Sequence, residues 1–164
     1  AIAMILFKIE KFEEGAKVLG ELPPDCKHPE VIVARAASLY KQALRAPESE
    51  TMDNALGFHR RAIDDAPADD RHRLVVPYVE LILEKVGPRD AGKERALLDS
   101  AVRLAKIEID RRPECPSLYF FLYRIYKLMG KENLAIHYQD LHAKKKDEYD
   151  KKEHYDDLGR PRCR

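Results

Sequence analysis

His137, Asp140 and His142 are the first residues whose types could hold a metal. Ligands must converge on one point, which on a helix requires spacings of three or four residues. His137 and His142 are five apart, about 140° around a helix axis, so they diverge. His137 and Asp140 share a face, but two ligands do not complete a site. His59 and His72 sit among charged residues, and nothing marks them as ligands. A cysteine nucleophile needs a histidine beside it in space. Cys26 and His28 are neighbours only in sequence, between prolines, and read as a loop. No Gly-x-Ser-x-Gly elbow occurs, and the seven glycines form neither Gly-x-Gly-x-x-Gly nor a phosphate-binding loop. The carboxylate pairs Asp64-Asp65, Asp69-Asp70 and Asp156-Asp157 read as solvated helix ends. The expectation is a chain that is not an enzyme, with no catalytic residues, no metal and no cofactor.

Basic clusters offer another chemistry. Arg60-Arg61, Arg71-His72-Arg73, Arg111-Arg112 and Lys144-Lys145-Lys146 could follow a phosphate backbone. Each is diluted by nearby acids: Asp64-Asp65, Asp69-Asp70, Asp110 and Asp147-Glu148. Across 164 residues, 30 Lys and Arg face 29 Asp and Glu, for a net charge of +1. Such a balance makes no global case for nucleic acid. A hydrophobic content of 45% excludes a disordered chain. Cys26, Cys115 and Cys163 are odd in number, widely spaced and without a Cys-x-x-Cys pair. They suggest neither a disulfide framework nor a zinc site, and a reducing, cytoplasmic setting is expected. The apolar run Ala1–Phe7 is too short and lacks the basic start of a signal peptide. It reads as a helix of a longer protein. No run approaches the roughly 20 apolar residues that span a bilayer.

The positioning elements are helices. Few glycines and a Lys-, Glu-, Ala- and Leu-rich content favour helix, and no segment alternates strictly enough for a strand. Prolines and glycines divide the chain, because proline cannot continue a helix. Helices are expected over about 10–22, 30–44, 50–66, 68–86, 91–112, 116–129 and from 131 to about 155. Ser49 or Thr51 is a possible cap for the third. Pro77 marks a kink or late start in the fourth, and Gly87-Pro88-Arg89-Asp90 closes it. The segment 156–164 reads as a charged, disordered tail. The closing prolines at 24, 67 and 113 mark a repeat of helical hairpins.

Within these hairpins, Tyr119-x-x-Leu122-Tyr123-x-x-Tyr126-x-x-x-Gly130-x-x-x-x-Ala135-Ile136 resembles the tetratricopeptide repeat family. A second copy has Ala36-Ala37-x-x-Tyr40, then Ala55-Leu56, Ala62-Ile63 and Pro67, with a long loop between its helices. A first copy keeps Ile2-Ala3-x-x-Leu6 and Phe12-Glu13-Glu14-Gly15-Ala16. The third, about 70–113, is the most divergent. Tyr123 stands where the family has a small residue. The resemblance implies an all-α fold, an α-solenoid of about three and a half hairpins over residues 1–155. Ala55, Ala62 and Ala135 would let helices approach closely, while Phe12, Tyr40 and Tyr126 fill gaps. Tyr119, Phe120, Phe121, Tyr123 and Tyr126 are expected in the core.

The resemblance also implies a function. In this family the first helix of each hairpin lines a concave face that receives a peptide or partner helix. The matching positions here are Ser38, Lys41 and Gln42, with Ala34; Glu80 and Glu84, with Val76 and Leu83; and Phe120, Arg124 and Lys127, with Leu128. The expected partner is another protein, and the expected role an interaction scaffold. The carboxylate clamp of chaperone-tail receptors does not match, because Ala34, Ser38, Phe120 and Arg124 hold its positions. One alternative is an RNA-binding solenoid like the interferon-induced members, using Arg60, Arg61, Arg71, Arg73, Arg111 and Arg112. Another is a regulatory module of a larger signalling or enzyme protein.

Overall fold

A computed structural model describes residues 12–23, 26–46, 50–88 and 90–150. Seven helices occur among them, without a strand: α1 (Phe12–Gly20), α2 (Pro29–Arg45), α3 (Glu50–Asp65), α4 (Ala68–Lys85), α5 (Arg95–Arg111), α6 (Pro116–Leu128) and α7 (Glu132–Asp150). The all-α expectation holds. The expected first helix over Ala1–Phe7, the cap Ser49 and the tail 156–164 lie outside the described residues.

The helix ends follow local chemistry. Pro29 and Pro116 occupy first-turn positions of α2 and α6, where the missing N–H leaves no bond unmade. Asp69 and Asp70 lie in the first turn of α4, favourable to its dipole. Thr51 is a residue within α3 rather than its cap. Pro77 lies inside α4, which continues through it. One expectation needs correction: α5 begins at Arg95, not near Ala91. Residues 91–94 form turns, held by the Asp90 N–H to Gly87 carbonyl bond at 3.0 Å and Glu94 N–H to Asp90 carbonyl at 2.9 Å. Gly92 falls in this stretch, and glycine costs a helix about 1 kcal/mol relative to alanine.

The turn from α6 to α7 is set by Gly130, whose φ is +67°. Its N–H donates to the Lys127 carbonyl at 3.1 Å, and the Lys131 N–H to Tyr126 at 2.9 Å. This paired pattern closes a helix with a left-handed residue, which glycine adopts without a Cβ clash. The Lys131 ammonium lies 5.8 Å from the Tyr126 ring centre, covering the same turn.

The chain divides into two compact units, Ala1–Lys85 and Val86–Arg164. In the first, α1 packs on α2, α2 packs on both α3 and α4, and α3 on α4. Val33, Ala34, Ala36 and Ala43 of α2 are buried, with Ala55, Ala62 and Ile63 of α3 and Leu74, Val75 and Val79 of α4. Ala55 has no exposed surface, consistent with a close helix approach. In the second unit α5 packs on α6, and α6 on α7. Leu98, Ala101, Ala105, Leu118, Leu122 and Ile125 are fully buried or nearly so, and Ala135 lies with them at 3% exposure. Tyr119, Phe121 and Tyr126 are core residues as expected, whereas Phe120 is exposed and Tyr123 half-buried. The aromatic run spans about 220° of the circumference of α6, at ~100° per residue, so it cannot all face inward.

Candidate functional site

In the first unit the residues expected on one face fall on two. Ser38 and Gln42 lie one turn apart on α2 and line an open groove of 590 Å³. Leu19 and Leu22 at the end of α1, Leu39 and Arg35 of α2, and Phe58 of α3 complete it. Ser38 is buried at its floor, and its hydroxyl accepts from the Gln42 amide at 3.1 Å. Arg35 rims the groove, its guanidinium donating to the Leu22 and Pro23 carbonyls at 3.1 and 2.7 Å. The groove thus mixes apolar side chains with a few polar groups, Ser38 buried and Leu22 exposed.

Lys41, Glu80 and Glu84 gather instead around Tyr40. The Tyr40 hydroxyl donates to Glu80 at 2.5 Å, tying α2 to α4. Burial and the two glutamates push this phenol well above its ordinary range, so it stays a donor. The Lys41 ammonium lies 5.5 Å from the same ring. This cluster joins two helices and half-buries its tyrosine, so it reads as a seam with an acidic margin.

In the second unit Phe120, Arg124 and Lys127 follow one another along α6. Phe120 is 37% exposed, and the Arg124 guanidinium lies 5.9 Å from its ring centre. Tyr123 stands 6.1 Å from Phe120, and the Lys127 ammonium lies 5.7 Å over the Tyr123 ring. From α7, the His142 ring meets Phe120 at 5.2 Å, its Nδ1–H donating to the Pro116 carbonyl at 3.0 Å. Tyr123, expected in the core, is half-buried and joins this strip, as does the half-buried His142. The available signal was that α6, PSLYFFLYRIYKL, contains no acid.

The basic clusters are largely engaged. Arg60 pairs with Asp64 at 3.2 Å, Arg73 with Glu30 at 2.7 Å and Asp70 at 3.4 Å, and Arg111 with Glu108 at 3.4 Å. The Arg73 guanidinium holds the Glu30 carboxyl below its ordinary value. Arg71 donates to the Ala66 carbonyl at 3.3 Å. Arg61 is exposed and Arg112 half-buried. These arginines lie on α3, α4 and around the end of α5.

His59 is not in charged surroundings: it has no exposed surface. Its Nδ1–H donates to the Ala55 carbonyl at 2.9 Å, while Nε2 is buried without a partner. Burial lowers its pKa and keeps it neutral. Cys26 is a half-buried, unpaired thiol, and His28 beside it is exposed. Among the described residues no three His, Cys, Asp or Glu side chains group as a metal site, and no helix is long and apolar enough to cross a membrane. No family model, curated protein or solved structure matches the chain.

Proposed function

We propose that the chain is a protein-interaction scaffold, a tetratricopeptide-like α-solenoid that binds a peptide or partner helix. The observation that carries this reading is the packing of α2 against both the next helix, α3, and the one after it, α4. Stacked hairpins pack in this way, each burying the apolar face its neighbour cannot bury alone. Two surfaces support binding as the role. One is the groove where Leu19, Leu39 and Phe58 stand beside Ser38, Gln42 and Arg35; the other is the strip of Phe120, Tyr123, Arg124 and Lys127. Both combine an apolar or aromatic base with a few polar groups, the composition of peptide-binding surfaces.

Selection of a random displayed peptide library on the full chain tests the proposal. Enriched peptides should lose affinity when Leu39→Glu charges the groove or when Lys127→Glu reverses the strip. A library that yields no binder, or binders indifferent to both substitutions, would overturn the reading.

A further inference from the structure

Lys127 carries a charge that no carboxylate answers among the described residues. By contrast Arg60, Arg73, Lys85, Arg95, Arg111 and Lys145 each approach a carboxylate at 2.7–3.5 Å. Lys127 is exposed, and among the described residues its ammonium meets the Tyr123 hydroxyl, at 3.4 Å, and the ring beneath it. Arg124 lies one turn before it and Phe120 one turn before that, on a helix without a single acid. Phe120 is backed by His142 and Tyr123, so its outer face is held in place rather than free to fold inward.

Resting on the interaction reading above, we infer that this strip takes an extended acidic segment of a partner protein. One aromatic or branched aliphatic side chain covers Phe120, and one or two carboxylates two to three residues away meet Arg124 and Lys127. The spacing follows from helix and strand geometry. Arg124 and Lys127 lie about 6 and 10 Å along the helix from Phe120, at ~1.5 Å per residue. An extended chain advances ~3.3 Å per residue, so two or three residues cover those distances. Charge complementarity selects acid over base, and the ring selects an apolar neighbour for it. Two cations suffice for one or two carboxylates. A nucleic acid draws its affinity from many phosphate contacts, which a chain of net charge +1 with paired arginines does not offer here.

Fluorescence anisotropy on the full chain provides the test. The probe is a labelled octapeptide, Gly-Ser-Phe-Ser-Glu-Glu-Ser-Gly, compared with versions carrying two lysines for the glutamates or serine for the phenylalanine. A short single-stranded RNA serves as a third probe. The acidic aromatic peptide should bind about tenfold more tightly than either altered peptide, and Lys127→Glu should remove that preference. Lys127 is solvent-exposed, so its replacement should leave the helical circular dichroism spectrum unchanged; Phe120→Ser should weaken binding as well. Equal affinity for the glutamate and lysine peptides, no binding of the acidic peptide, or RNA binding lost in Lys127→Glu would each overturn the assignment. Binding of the acidic peptide that survives Lys127→Glu would remove this site yet leave the scaffold reading standing. That reading falls separately, if library selection yields no binder.

Discussion

At the scale of single residues, His59 and Gly130 are the positions where the local environment leaves least choice. His59 is buried and neutral, with one nitrogen bonded to Ala55 and the other without a partner. Its pKa lies below the ordinary 6.5, so in that range the unfolded chain binds more protons than the folded one. Stability contributed by the neutral ring is complete above pH 6.5 and is lost as the pH falls towards the folded value. Urea melts from pH 7.5 to 5.5 should show falling stability, and His59→Gln should flatten that slope whatever its level. An unchanged slope would show that His59 is not the responsible group. Gly130 holds φ at +67°. No atom stands within 4 Å of a Cβ there, so Gly130→Ala meets backbone strain without a clash. It should cost about 1 kcal/mol, read by thermal melting.

Helices are the scale at which the amino-acid sequence is most legible. Pro29, Pro67, Pro113 and Pro116 punctuate the chain, and the apolar periodicity between them needs no tertiary information. The start of α5 was less legible, because Ala91 and Gly92 continue a plausible pattern that the turn bonds at Asp90 and Glu94 override. Facing is harder still. Tyr119, Phe120, Phe121 and Tyr123 have similar chemistry, so residue type alone does not tell which ring turns outward. Ser38 and Lys41 are both polar and close in sequence. Only the packing of α1 and α3 shows that Ser38 belongs to a groove floor, while Lys41 sits at the Tyr40 seam. A polar residue such as His59 could not be read as buried either, since its bond to Ala55 lies within its own helix turn. The close approach at α3 makes a direct prediction. Ala55 has no exposed surface, so Ala55→Leu should overfill the interface and cost about 1–3 kcal/mol in chemical denaturation. A neutral result would mean that the helices there are not tightly seated.

For the whole molecule, part of the balanced charge is resolved into local pairs among the described residues. Arg73 joins Glu30 of α2 and Asp70 of its own helix, and Lys85 joins Asp53 of α3 at 2.7 Å. These exposed pairs contribute little individually, but they neutralise cations that would otherwise attract a polyanion. Single-stranded RNA should therefore bind weakly at 150 mM salt, without the steep salt slope of a phosphate-tracking protein, when followed by filter binding. Tight, steeply salt-dependent binding would favour the nucleic-acid alternative. The proposed role rests instead on the first helices of the hairpins bearing the contacts. Hydrogen–deuterium exchange of the full chain, with and without a library-selected peptide, measures this most directly. Slowed exchange concentrated in α2 and α6 is the expected result. Protection confined to α3, α5 and α7, or absent throughout, would contradict it.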